Sequence, residues 1–388
     1  MQFKFIPRFS IFFRFNHFIK VIYYCFNKLK YCLILSNKIK KELDVENILF
    51  VNHARTGLKI FLRAIGKGRR LRVGVQVFNC ETVFHAITSS GHTPVFLDID
   101  NNFILDINKL RERRNDFDVL IVTHTFGIPI DLNKIKNIIG TKIIIEDCAH
   151  ALFSNIDNKQ VGKVGEASIF SFGYGKYPSI GKGGYLILNN EKLLADVTNQ
   201  YNKLASPGIK EELFNVFKVL AYSIIHIRLF YKHFTFPLKL KFGNSIDITN
   251  KKDTTESKGL CFNTFRFIDI IVNYKQIIGK QFIVGEKIKR GINKQYIRTS
   301  ISSESKTNYF CLPLLSNNQK DFIKFLTERG IEAATHFSNS INIAYTYGYT
   351  FNSCPVAEQI VNKIVTIPCH YYLKEKDIQY VITTVNSY

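Results

Sequence analysis

The sequence has no tryptophan and a single methionine. It also lacks any run of roughly 18 uncharged apolar residues, the length that a membrane-spanning helix needs. The best candidate, Leu213 to Tyr231, is interrupted by Lys218 and Arg228. Near the N-terminus, Lys4, Arg8, Arg14 and Lys20 break any signal-peptide core, and no small-residue cleavage site follows. The eight cysteines (Cys25, Cys32, Cys80, Cys148, Cys261, Cys311, Cys354 and Cys369) form no C-x-x-C pair and no compact disulfide spacing. Free thiols in a reducing cytoplasm are therefore expected. RNP-type, zinc-finger and polybasic-tail patterns are missing, so no nucleic-acid partner is expected. No metal-ligand spacing is found.

The 388 residues are 46% hydrophobic and 22% charged, a globular composition with room for one large core and a smaller one. The formal net charge of +22 favours anionic partners. Residues 1 to 41 hold nine Lys or Arg and no acid, interleaved with Phe3, Phe5, Phe9, Phe12, Phe13, Phe15 and Phe18. Two readings stay open for this segment: packing on the body of the protein, or lying on anionic lipid at the inner membrane face.

From about residue 46, short apolar runs alternate with helical stretches. Strands are expected at Ile48–Val51, Arg72–Val75, Pro94–Leu97, Val119–Thr123, Lys142–Ile145, Ser168–Phe172 and Tyr185–Leu188. Helices are expected from Thr56, over Glu81–Thr88, near Ile107 and from Asp131. Near-continuous apolar strands alternating with helices indicate a mostly parallel sheet covered on both faces. Residues 206 to 258 interrupt this pattern and read as an insertion or connection. Within them Phe217, Leu220, Ile224 and Ile227 recur at helical spacing, as on a core or partner-facing helix, with membrane contact as the alternative. A long helical stretch then runs to Lys294. A second α/β unit follows, with strands expected at Tyr309–Pro313 and Ile331–Thr335 and helices at Asn318–Glu328, Val356–Lys363 and Glu375–Val385. The division is thus a basic aromatic segment (1–45), a large domain (46–205), the insertion (206–258) and a smaller C-terminal α/β domain (259–388).

Three segments hold candidate chemistry. Lys176 lies in a glycine-rich turn, Ser171 to Gly184, between two apolar strands. Such a turn lets backbone approach a ligand, and a partly desolvated lysine is a better nucleophile. A solvated lysine in a glycine turn would look the same, and the spacing is not that of a Walker loop. Asp147 follows the apolar run Ile143–Ile145, where ligand groups gather at the carboxyl ends of parallel strands. An acid there can keep a pyridine nitrogen protonated, or it can simply cap the next helix. At Asn52-His-Ala-Arg55-Thr56-Gly57 a strand meets a helix, a junction suited to phosphate or to plain capping by Thr56.

The order of several motifs resembles the DegT/DnrJ/StrS sugar aminotransferases, pyridoxal-phosphate (PLP) enzymes of fold type I. Gly91-His-Thr-Pro94-Val-Phe-Leu-Asp98-Ile-Asp100 is similar to G-x-x-P-V-x-x-D-x-D, and His124-Thr-Phe-Gly127-Ile-Pro-Ile-Asp131 to H-x-x-G-x-x-x-D. Glu146-Asp147-x-Ala149-His150-Ala151 is similar to E-D-x-A-Q/H-A. Ser171-Phe172, Lys176, Gly181 and Gly183-Gly184 follow S-F-x-x-x-K-x-x-x-x-G-E-G-G, and Thr366-Ile-Pro368 the late T/S-L-P. The resemblance covers residue 46 to the C-terminus apart from the insertion.

It implies a fold type I PLP transferase: a large, mostly parallel-sheet domain with a smaller C-terminal α/β domain. It implies that Lys176 forms the imine to the cofactor and shuttles the substrate proton. Asp147 pairs with the ring nitrogen, and His150 lies against the ring or near its phenolic oxygen. Ser171 and Thr56 hold the phosphate. Glutamate is the implied amino donor, a nucleotide-linked keto sugar the acceptor, and a homodimer the assembly. The setting would be polysaccharide or related glycan biosynthesis.

Four positions depart from the pattern. Cys80 stands where an aromatic residue often stacks on the ring, with Phe78 or Phe84 as substitutes. Lys182 replaces the Glu of G-E-G-G, and Arg55 replaces a phosphate-loop glycine. The N-x-R motif reads Thr264-Phe265-Arg266, with Asn263 one place out. Retention of Lys176 argues against the family's dehydratase branch. The departures keep a second reading open: an altered relative that binds a sugar nucleotide or a membrane surface without transamination.

Overall fold

The computed structural model describes residues 5–9, 19, 28–225, 233, 237, 255–259, 261–273, 275–297 and 305–388. A helix, α1 (Lys28–Leu43), precedes the alternating region. There follow β1 (Asn47–Val51), α2 (Ala54–Gly66), β2 (Arg72–Gln76), α3 (Glu81–Ser89), β3 (Thr93–Leu97), α4 (Ile107–Glu112), β4 (Val119–Thr123), α5 (Leu132–Ile139) and β5 (Ile143–Asp147). The short strands β6 (Asn155–Ile156) and β7 (Lys159–Gln160) lead to β8 (Ala167–Ser171) and β9 (Gly184–Leu188). Next come α6 (Leu194–Asn202) and α7 (Ile209–Ile225), and after the undescribed stretch α8 (Cys261–Asn273) and α9 (Lys275–Gly291). The C-terminal part holds β10 (Ser305–Lys306), β11 (Leu312–Leu315), α10 (Gln319–Glu328), α11 (Ser340–Tyr345), α12 (Pro355–Ile360), β12 (Ile364–Ile367) and α13 (Glu375–Asn386).

The main sheet has seven strands in the order β1-β9-β8-β5-β4-β2-β3. The pairs among β3, β2, β4, β5 and β8 are parallel, whereas β9 runs antiparallel to both β8 and β1. Two-residue alternation sorts the strand side chains onto two buried faces. Ile121, Ile145, Ile169 and Leu186 face one apolar cluster together with α2 and α3. Leu120, Val122 and Ile144 face a second cluster with α5, and Phe170, Tyr185 and Ile187 a third with α1 and α8. Burial on both faces explains why these strands read as continuous apolar runs. A further cluster joins α9, β11, α10, β12 and α13.

The C-terminal part differs from the sequence expectation in three places. The strand expected at Tyr309–Pro313 begins only at Leu312, because Tyr309 has a φ of 51°, outside the extended region. Ile331–Thr335 makes single bridges, Ile331 to Ile6 and Ala334 to Thr366, and no strand. The helix expected to reach Lys363 stops at Ile360, and the chain turns into β12, which pairs antiparallel with β11.

On α7 the stripe Phe217, Leu220 and Ile224 is not the inward one. Val216, Val219 and Tyr222 are buried, while Phe217 and Ile224 are exposed. Ile227, like most of residues 10–27 and 226–254, lies outside the described residues. Residues 5–9 of the basic aromatic segment do pack on the body: Ile6 is buried in the C-terminal cluster and Arg8 N donates to Glu332 Oε2 at 2.9 Å.

One carboxylate ties the two ends of the chain together. Asp98, just past β3, accepts from Val356 N and Ala357 N at 3.0 Å each and so satisfies the open N-terminus of α12, 258 residues away. Asp98→Ala is expected to leave these buried donors unpaired and to lower stability by about 1–3 kcal/mol. An unchanged denaturant midpoint would contradict this.

Candidate active site

The parallel strands all end at one edge of the sheet, and the antiparallel β9 starts there. Register puts Thr123 beside Asp147, Ser171 beside Gly184, and Gly184 beside Val51. A cavity of about 510 Å³ opens along this edge. Six of the seven candidate residues line it: Lys176, Asp147, His150, Ser171, Arg55 and Cys80. Thr56 does not. Its hydroxyl donates to Asn52 Oδ1 at 2.7 Å in the layer behind, and the start of α2 contributes His53, Ala54 and Arg55 to the wall.

Strand alternation sends the two adjacent acids of β5 opposite ways. Glu146 points away from the cavity. It accepts from Gly162 N, Val164 N and Gly165 N at 2.7, 2.8 and 2.7 Å and meets His124 Nε2 at 3.2 Å. His124 Nδ1 accepts from Ile130 N, which assigns the ring proton to Nε2, facing Glu146. Burial opposes the Glu146 charge, but His124 and the backbone donors outweigh it and hold the carboxyl below its ordinary pKa. His124, Glu146 and Cys148 are close enough to surround an ion, yet Glu146 already accepts four hydrogen bonds within the fold.

Asp147 points into the cavity. It accepts from Ala149 N at 3.1 Å and from Thr123 Oγ1 at 3.4 Å. Burial raises its pKa, and Ala149 N–H, Lys176 and Thr123 act in the opposite direction.

Lys176 is carried by the glycine turn between β8 and β9. Gly175, Gly181 and Gly183 all have positive φ there. A Cβ on Gly181 would also come within 2.7 Å of Val219 of α7, so helix and turn are in direct contact. The turn is braced from behind by α8. Asn263 Nδ2 donates to Lys182 O, and Arg266 Nη1 donates to Ile180 O at 2.9 Å. Residues i and i+3 share one helix face, so Asn263 and Arg266 grip the same loop despite the shifted motif. Burial lowers the Lys176 pKa, partly offset by Cys80, Asp147 and Cys311.

His150 forms part of the cavity wall, with Phe310 stacked on it at 4.3 Å and 14° and Phe337 at 5.6 Å and 12°. Its Nδ1 accepts from Phe126 N, and burial, aided by the nearby Lys176 and His336, pushes its pKa well below the ordinary histidine value. The ring is therefore neutral at physiological pH. Neither proposed substitute for the aromatic at Cys80 reaches the cavity. Phe78 packs on Phe103, Phe126 and Phe337, and Phe84 on Phe96 and Tyr347. Phe337 lines the same cavity as Cys80; it lies far downstream and at a φ of 57°, which no local pattern signals. Sequence reading also missed the wall supplied by α7: Glu211, Phe214, Asn215 and Lys218. Lys182 of the glycine turn lies 3.8 Å from Glu211.

These groups match the three functional parts of PLP. The start of α2 has no side-chain cap and, with Arg55 and Ser171, offers donors for a phosphate. Asp147 is an acid suited to a protonated ring nitrogen. Lys176 is a desolvated amine suited to an aldehyde. The residues present thus fit the cofactor.

A family model described as the DegT/DnrJ/EryC1/StrS aminotransferase family matches residues 30–222 and 286–386. A GDP-perosamine synthase of Escherichia coli O157:H7 is 29% identical over 174 residues, which is 44% of this chain and 48% of that protein. The chain therefore matches about half the length of that curated relative. A dTDP-3-amino-3,6-dideoxy-alpha-D-galactopyranose transaminase of Aneurinibacillus thermoaerophilus is 24% identical over 78% of this chain and 75% of its own length. Among solved structures, the PMP form of the putative sugar aminotransferase Spr1654 of Streptococcus pneumoniae superposes with a TM-score of 0.75. That likeness is at 15% identity and covers 98% of this chain and 97% of that one, and it shows the shared fold.

Burial favours the neutral Lys176 amine, whereas the Asp147 charge favours the ammonium. Capture of PLP by Lys176, trapped by borohydride and counted by mass spectrometry, is expected to rise with pH around a midpoint below the ordinary lysine value. Asp147→Asn is expected to move that midpoint lower still. A midpoint at or above 10.5, the ordinary value, would contradict the burial argument.

Proposed function

The chain belongs to the DegT/DnrJ/EryC1/StrS aminotransferase family, whose cofactor is PLP, and we propose that it transfers an amino group from glutamate to a nucleotide-linked keto sugar for surface polysaccharide or related glycan biosynthesis. The observation that carries this reading is that Lys176 and Asp147, 29 positions apart, line one cavity together with His150. The relatives named above have GDP and dTDP sugars in their names, which favours a nucleotide-linked acceptor. The excess of basic residues suits a diphosphate.

In this reading Arg55, Ser171 and the first N–H groups of α2 would hold the cofactor phosphate. Asp147 would hold a proton on the ring nitrogen, and neutral His150 would lie against the ring. When bound, PLP supplies an electron-accepting ring that acidifies the C–H bond of an amine joined to it. Lys176 Nζ would hold and return that proton, a general-base role for which a lowered pKa is suited. Thr123 and Ala149 N–H would keep the Asp147 carboxylate aimed into the cavity. Lys182 and Lys218 at the rim would receive anionic substrate groups. We propose a homodimer for the assembly.

A second reading, binding without transamination, draws on Phe337. Its ring lies nearly parallel to His150 at 5.6 Å, so it must move for another ring to lie between them.

Purified protein with PLP is expected to show the visible absorbance of the lysine-bound cofactor, and Lys176→Ala to remove it. Adding glutamate is expected to convert the PLP form to the PMP form. Lys176→Ala should slow that conversion by about 10²–10⁴-fold or more. A wild type that never gains the band defeats the enzymatic reading. A stable band with no response to glutamate favours the second one.

A further inference from the structure

We propose that a second chamber beside the active-site cavity is a phosphate-binding subsite, which takes the diphosphate of the nucleotide-linked acceptor. The identity of that ligand rests on the reaction proposed above. The preference for phosphate rests on the residues of the chamber itself.

The chamber measures about 300 Å³ and lies between the first turns of α2 and α3 and residues 337–343. Small-molecule sites run to roughly 300–1,000 Å³, so it suits one portion of an extended ligand. It shares Arg55, Asn79, Cys80, Thr82 and Phe337 with the cavity that holds Lys176, and the two therefore adjoin. Lys59, His85 and Ser340 line the chamber and not the cavity, whereas Lys182 and Lys218 line the cavity and not the chamber. A group held in the chamber thus meets its own set of donors.

Ser340 points to a ligand. It is 2% exposed, yet its hydroxyl has no hydrogen-bond partner among the described residues. A buried hydroxyl left unpaired costs the fold stability, and an oxygen bound in the chamber would relieve that cost. The start of α3 adds to it. Cys80, at the N-cap of this nine-residue helix, makes no side-chain bond to it, so the first N–H groups stay open toward an anion. Burial, followed by the charges of Lys59 and Arg55, holds the His85 pKa below its ordinary value, so these three nitrogen groups share one space.

Two acids are close by. Glu81 lines the chamber and is exposed to solvent. Glu256 is taken up by Arg63 and Lys59, at 2.6 and 3.2 Å. Donors therefore outnumber acceptors, and they come from α2, α3 and the first residue of α11. Phosphate oxygens accept several such bonds at once, whereas a sugar or a base brings donors of its own. With the keto carbon of the acceptor near Lys176, its diphosphate would cross the shared wall at Arg55 and Thr82.

The test is calorimetric titration of the full-length PLP-loaded protein with inorganic pyrophosphate, GDP and dTDP, with guanosine and thymidine, and with glutarate as a dicarboxylate. Pyrophosphate and both nucleoside diphosphates are expected to bind, and both nucleosides to bind about tenfold more weakly or less. Ser340→Ala is expected to weaken the phosphate ligands about tenfold, the loss of one hydrogen bond to a charged group. Because it removes an unpaired buried hydroxyl, its thermal midpoint without ligand should equal or exceed that of the wild type, which separates lost binding from lost folding. His85→Phe should weaken the same ligands. Failure of the wild type to bind pyrophosphate and nucleoside diphosphates overturns the subsite, and so does binding that Ser340→Ala leaves undiminished. Binding of glutarate but not of pyrophosphate through Ser340 would assign the chamber to the amino donor and also overturn it. Glutamate conversion, followed separately in the wild type, tests the reaction: conversion without diphosphate binding removes the subsite alone, and diphosphate binding without conversion supports the subsite and removes the reaction.

Discussion

The site depends on two neighbouring acids that a β-strand must turn in opposite directions. Glu146 and Asp147 close β5, and the pleat gives one to the scaffold and the other to the cavity. Glu146 collects three backbone donors and the His124 ring and so fixes the end of the strand. Asp147 has fewer internal donors, and burial holds its pKa up. A carboxylate poorly satisfied by its own fold retains capacity for a protonated ligand group. The same buried neighbourhood depresses the Lys176 amine, so acid and amine are each displaced from their solution behaviour by desolvation.

The glycine turn that carries Lys176 is held on two sides. Asn263 and Arg266 bond its carbonyls from α8, and Val219 of α7 fills the space that a side chain at Gly181 would need. The stretch that interrupts the alternating pattern is therefore part of the site, since α7 also forms one wall of the cavity. Changes in α7 would be felt at the lysine through this packing.

The seven strands of the main sheet and their covering helices were legible because burial on both faces writes continuous apolar runs into the sequence. Lys176, Asp147, His150 and Ser171 were legible for a related reason: short motifs at strand ends bring their members to one edge whatever the long-range packing. What escaped was set by rotation and distance. The junction before α2 was visible, but not that Thr56 turns back to Asn52 while Arg55 faces the cavity. Periodicity revealed that α7 has two sides, but either could have been the inner one. The choice fell to the side of Val216, Val219 and Tyr222, all buried, where Val219 meets Gly181 and Tyr222 packs on Tyr174 of the glycine turn. Phe337 could not be paired with His150 from sequence, since nearly two hundred positions and a left-handed backbone separate the pattern from the contact.

Residues 5–9 lie far outside the segment in which the alternating pattern begins, yet they are stitched into the opposite end of the molecule. Ile6 bridges Ile331, Pro7 O meets the His370 ring at 3.0 Å, and Phe9 lies beside Gly175 in the lysine-bearing turn. A shortened chain that started at residue 46 would strip a plug from the C-terminal cluster and one support from that turn. Anyone trimming this protein for expression should keep its first residues, however dispensable their composition makes them look.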